Sequence, residues 1–126
     1  MKKLISLIFL LTISFCSALD VFSTQSRKLP ITAPGVSVSV KRFKAELNEY
    51  NLKCAQNSTT VYFSKHSMSK IENSMFSQLR GKGYNLVDAN TSFSISSRLW
   101  SKGSNRYTFY QIINRVFNVT FIKCEV

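Results

Sequence analysis

The chain has 126 residues and carries 17 Lys and Arg against 6 Asp and Glu, a formal charge of +11, with one histidine, three cysteines and four glycines. One small domain fits that length, the single histidine excludes a multi-histidine metal centre, and four dispersed glycines form no phosphate-cradling loop. A surface this basic draws anionic lipid, lipopolysaccharide, cell-wall polymer or nucleic acid by its field alone.

Lys2-Lys3, the apolar run Leu4 to Phe15 and the small triplet Cys16-Ser17-Ala18 form the three-part layout of a secretory signal peptide, residues 1–18, cleaved after Ala18. An uncleaved anchor is the competing reading, but about 12 apolar residues fall short of the roughly 20 that span a bilayer. Lipid attachment at Cys16 competes as well, although bulky Phe15 precedes it. Export to the periplasm or the extracellular space is therefore expected. Cleavage leaves Leu19 to Val126, 108 residues with 15 Lys and Arg and 6 Asp and Glu, a charge of +9.

Cys16 leaves with the signal, so Cys54 and Cys124 remain as an even pair in an oxidising compartment. A bridge between them closes a loop of about 70 residues, for which chain entropy gives about 4 kcal/mol. No C-x-x-C is present, so the nucleophile pair of a thiol-disulfide exchange enzyme is missing.

Residues 19–35 hold both prolines and little periodicity, which reads as an extended arm or linker into a single domain over 36–126. Val36, Val38 and Val40 alternate with Ser37, Ser39 and Lys41, the two-residue period of a strand. Residues 42–54 stay open: Phe43, Leu47 and Tyr50 have helical spacing, and Tyr50, Leu52 and Cys54 have strand spacing. Gln56-Asn57-Ser58 reads as a turn and Thr59 to Phe63 as a strand.

A helix over about 68–81 is the best-signed element. Ser69 and Glu72 have capping-box spacing, with Ser67 as the alternative cap. Met68, Ile71, Met75, Phe76 and Leu79 share one face, Arg80 and Lys82 suit the negative end of the dipole, and Gly81 or Gly83 supplies the stop. Then come Tyr84 to Val87 as a strand, a turn at Asp88-Ala89-Asn90, and a strand with Phe93, Ile95 and Leu99 on one face and Ser94, Ser96 and Arg98 on the other. Ser101 to Asn105 is a hairpin loop. Tyr107 to Cys124 is long enough for one bent strand or two, with Phe117, Val119 and Phe121 as its apolar face. The expected fold is α+β, an antiparallel sheet with one principal helix packed on one face and one disulfide.

The run Lys82-Gly83-Tyr84, Leu86-Val87-Asp88-Ala89 and Phe93 to Ser97 resembles the β-α-β-β modules of small bacterial exported envelope proteins and outer-membrane lipoproteins. That resemblance implies an envelope location and a binding or assembly role rather than catalysis. Trp100, Gly103 and Arg106, spaced W-x-x-G-x-x-R, resemble thioredoxin-like proteins of integrating conjugative elements, whose proline is Thr108 here. A conjugative-element-associated periplasmic protein is the minor alternative it implies.

No catalytic residue, cofactor or metal emerges. His66 lacks a nucleophile-elbow partner and reads as a surface or capping residue before a helix. The candidate working surface is the C-terminal hairpin, where Arg98, Trp100, Lys102, Arg106, Tyr107 and Tyr110 put cations beside large aromatic faces. The competing reading places Trp100 and Tyr110 in the core. Sequons occur at Asn57, Asn90 and Asn118 and carry glycans only where the host glycosylates. The expected function is a non-enzymatic binding or assembly protein of the bacterial periplasm or envelope, with a protein or an anionic envelope component as partner, peripheral membrane contact at most and no nucleic acid. A secreted effector or inhibitor with a protein target is the alternative.

Overall fold

The computed structural model describes residues 26–31, 35–115 and 118–126. The expected signal peptide, most of the expected arm, and Phe117 lie outside the described residues. Eight elements follow in order: β1 (Ser26–Leu29), α1 (Val36–Asn48), β2 (Thr60–Ser64), α2 (Met68–Gly81), β3 (Asn85–Thr91), β4 (Ile95–Lys102), β5 (Arg106–Asn114) and β6 (Val119–Glu125). The strands form one antiparallel sheet in the order β1-β2-β6-β5-β4-β3. The architecture is α+β with a Cys54–Cys124 disulfide.

Each helix covers a different face of that sheet. Side chains alternate across a strand, so in β5 Phe109, Gln111 and Ile113 face α1 while Tyr110 and Ile112 face α2. Val36, Val40, Phe43 and Leu47 of α1 pack with Val61, Leu99, Phe109 and Ile122. Ile71, Met75 and Leu79 of α2 pack with Trp100, Tyr110, Ile112 and Phe121. With both faces covered, Thr108 to Ile113 are all buried, which erases the polar alternation that marks a half-exposed strand.

The expected strand at Val36 to Lys41 is a helix instead. Val36, Val40, Phe43 and Leu47 recur at helical spacing and are buried, while Val38 is 62% exposed. The alternating valines satisfy a strand over five residues only. The run from Lys41 to Leu47, rich in Lys, Arg, Ala, Glu and Leu, carries a stronger helix preference, and the apolar face against the sheet settles the competition. Gly35 enters α1 with φ +80°, a conformation that an L side chain rarely adopts. Arg115 donates to Ser39 Oγ (3.2 Å) and to Thr120 Oγ1 (3.0 Å), tying the first turns of α1 to the sheet.

The helix α2 has the expected bounds, but its cap is Ser67: the hydroxyl accepts from Lys70 N at 3.2 Å. Glu72 is thereby released from a capping box and turns to the sheet. The stop at Lys82-Gly83-Tyr84 is a Schellman motif. Gly83, at φ +88°, donates to Arg80 O (3.0 Å), and Tyr84 N donates to Leu79 O (2.9 Å), so the motif satisfies two orphan carbonyls. Tyr84 then packs on the α2 core cluster. The helix, Lys-Gly-Tyr and strand sequence is thus a helix stop that delivers the chain straight into β3.

Asp88-Ala89-Asn90, expected as a turn, lies inside β3. Tertiary hydrogen bonds override their weak strand preference: Tyr50 donates to Asp88 Oδ2 at 2.6 Å, and Asn90 reaches Glu46 at 3.5 Å. A bulge separates Leu86 from Asp88. The region from Tyr107 to Cys124 resolves into two strands, β5 and β6. The expected arm contributes the short edge strand β1, paired with β2.

Cys54 follows α1 and meets Cys124 of β6 with Cα atoms 5.6 Å apart, within the usual range for a disulfide. Ala55 N donates to Glu125 O beside it (2.6 Å), so the loop after α1 is stitched to the C-terminal strand by both a covalent bond and a backbone bond.

Candidate binding surface

The six hairpin residues singled out in the sequence divide by face and depth. Trp100 and Tyr110 are fully buried against α2. This corrects their assignment to a contact surface: both project from central strands onto the face that α2 covers, so no ligand can reach them. Tyr107 is half-buried and packs on the opposite core. Lys102 and Arg106 pair across the mouth of the hairpin and are exposed, next to Gly103 at φ +67°.

Arg98 belongs to a buried polar cluster. Its Nε lies 2.7 Å from Glu72 Oε1 in an ion pair. The guanidinium also donates to Ser97 O (2.8 Å) and Thr91 Oγ1 (3.2 Å). Both side chains of the pair are only 14% exposed. Burial raises the Glu72 carboxyl above its ordinary value, with Arg98 acting against the rise. Burial and then the Glu72 charge push the Tyr110 phenol up. The cluster opens toward a groove of about 530 Å³ along Ser67, Met68, Ser69, Ser96 and Asn114.

The Schellman stop of α2 brings further cations to the hairpin. Asn85 pairs with Ser101, so Arg80 and Lys82 stand beside Lys102 and Arg106 at one end of the molecule. All four are exposed, and among the described residues none of them is ion-paired. The cations rest on aromatic supports: Arg80 Cζ lies 5.3 Å from the Phe76 ring centroid and Lys102 Nζ 6.0 Å from that of Tyr84. Phe76 meets Trp100 edge-on at 5.1 Å. Trp100 therefore backs the surface without touching what binds there. Glu125, opposite Thr108 at the same end of the sheet, accepts from Thr108 Oγ1 at 2.7 Å.

Arg80 and Lys82 were legible only as helix-end cations. The signal that could have placed them was the stop motif, because a helix ending three residues before a strand must end where that strand begins.

A second groove, about 500 Å³, runs between α1 and the following loop, with Lys41, Lys44 and Lys53 on its banks and Leu47, Leu52 and Cys54 below. On the same face Gln111 Nε2 and Ser97 Oγ (3.1 Å) donate to Glu46. His66 precedes α2, its imidazole pKa lowered from the ordinary value by burial and by Lys70; its backbone N–H donates to Ser64 Oγ at 3.1 Å, and its Nε2 is buried. No group of three or more His, Cys, Asp or Glu side chains is disposed to hold a metal among the described residues. No helix among them is long and apolar enough to cross a membrane. The chain matches no family model, and no curated protein or solved structure shows significant similarity to it.

Proposed function

We propose that this chain is an exported, non-enzymatic binding protein of the bacterial periplasm or envelope that docks through its basic end onto an anionic envelope component. The observation that carries the reading is the convergence of Arg80, Lys82, Lys102 and Arg106, exposed and without ion-pair partners among the described residues, on one end of a chain of formal charge +11. The signal-like Met1 to Ala18 and the Cys54–Cys124 bridge, a feature of oxidising compartments, support the location. The resemblance of the Lys82-Gly83-Tyr84 region to envelope modules supports the same role.

The mechanism is electrostatic steering followed by shallow contact. Unpaired cations at one pole orient the molecule toward a negative surface, and each Lys or Arg near an anionic membrane contributes about 1 kcal/mol. Phe76 and Tyr84 hold two of the four cations in place, which limits the side-chain entropy lost on binding. Contact stays peripheral.

Co-sedimentation of the oxidised protein with vesicles tests this. Vesicles containing phosphatidylglycerol should retain the protein at low salt and release it as salt rises past the physiological range, and wholly zwitterionic vesicles should not retain it. Lys102→Glu with Arg106→Glu should weaken retention more than about tenfold, as two charges change sign. Equal retention by both vesicle types, or retention indifferent to salt, would contradict the reading.

A further inference from the structure

The two edges of the sheet are built differently. Edge strands expose a row of unpaired N–H and C=O groups, and proteins blunt that hazard with short strands and lysines. β1 has four residues and carries Arg27-Lys28. β3 has seven, all exposed, and carries no cation. Indeed no Lys or Arg occurs anywhere between Lys82 and Arg98 in this strongly basic chain. Of the exposed large apolar side chains, Leu86 and Val87 lie on β3 and Phe93, wholly exposed, lies just after it.

From this contrast we infer that the free edge of β3 is a self-association surface, at which a second copy of this chain pairs antiparallel to form a two-fold dimer with one continuous sheet. Self-association of a molecule this positive is favoured only where like charges do not meet, and β3 is the edge that meets this condition. Its single charge, Asp88, is held on the α1 side by the Tyr50 hydroxyl at 2.6 Å. An antiparallel pairing centred on Asn90 sets Ala89 against Thr91 and Asp88 against Ser92 of the second copy, so the two carboxylates do not face each other, and the Ala89 N–H exchanges Asp88 Oδ1 (2.9 Å) for a carbonyl of the second strand. The same register brings Phe93 of each copy opposite Val87 of the other, which covers these two exposed apolar side chains in two equivalent patches. The bulge at Val87 does not interrupt this pairing segment, because the register with β4 is regular from Asp88 to Thr91. The dyad also sends the two basic ends to opposite poles of the dimer.

One strand pair and two small apolar patches make a small interface, so the dissociation constant should be on the order of 10 μM. Sedimentation equilibrium of the oxidised protein, from about 1 to 300 μM, should show a monomer passing to twice its mass. Hydrogen exchange over Asn85–Thr91 should slow as concentration rises. Val87→Lys and Phe93→Ser, both at exposed positions, should each raise the dissociation constant about tenfold or more without moving the thermal midpoint. If Val87→Lys disturbs the bulge and fails to fold, Phe93→Ser decides. A monomer throughout the range, a dimer of unchanged strength in Phe93→Ser, or an open series of larger oligomers would overturn the inference.

Discussion

Trp100 shows how a residue can be chosen for the right neighbourhood and the wrong role. An indole among cations reads as a contact residue, and only the second helix-facing side of β4 decides that it is buried. Trp100→Ala should cost about 3 to 5 kcal/mol, as for other large-to-small core changes, and a denaturant titration measures it. Glu72 is the second residue whose role shifted, from a cap to a buried partner of Arg98. Its carboxyl is raised in the folded state, first by burial, so the unfolded chain releases this proton earlier than the folded one. That contribution favours the fold below the ordinary carboxylate value and is lost as pH rises through that value toward the folded one. Glu72→Gln should therefore remove this downward slope from the stability profile, measured as thermal midpoint against pH from about 3.5 to 7. A profile of unchanged slope would mean that the carboxyl is not raised.

At the scale of elements, the bounds of α2 were legible because stripe, basic last turn and glycine stop agreed, although the cap is Ser67 rather than the Ser69–Glu72 box. In contrast, α1 was hidden by three alternating valines, a local pattern that the later residues Phe43 and Leu47 outvote once a sheet is there to receive them. The two readings make opposite demands on Val38 and Val40. A strand places both on one face, whereas the helix leaves Val38 exposed and buries Val40. Val38→Lys should change stability by less than about 0.5 kcal/mol and Val40→Lys should cost at least about 3 kcal/mol, from a buried unpaired charge and lost packing. Equal costs would contradict α1. The second half of β3, beyond the expected strand Tyr84 to Val87, was hidden for the reverse reason, since Asp88, Ala89 and Asn90 have turn chemistry and are kept extended by Tyr50 and Glu46, partners more than 35 positions away.

The whole molecule is a sheet with a helix on each face, closed at one end by the Cys54–Cys124 bridge and bearing a basic pole there. The disulfide and the antiparallel sheet could be read from cysteine count and strand pattern. The second covered face could not, because it depends on the helix that the valines concealed. Protein taken from its host should have the mass of Leu19–Val126 less two hydrogens and gain them on reduction. A mass that retains Met1 to Ala18, or includes lipid, would contradict cleavage and move the protein to a membrane anchor.

The basic pole is the part of the account on which the function rests, and its location is directly measurable. Amide chemical shifts of the isotope-labelled oxidised protein, followed as bicelles containing phosphatidylglycerol are added, should move at Arg80 to Tyr84 and Lys102 to Arg106 and return as salt is raised. Shifts confined to the groove of Lys41, Lys44 and Lys53, or no shifts at any lipid concentration, would contradict docking through the hairpin end.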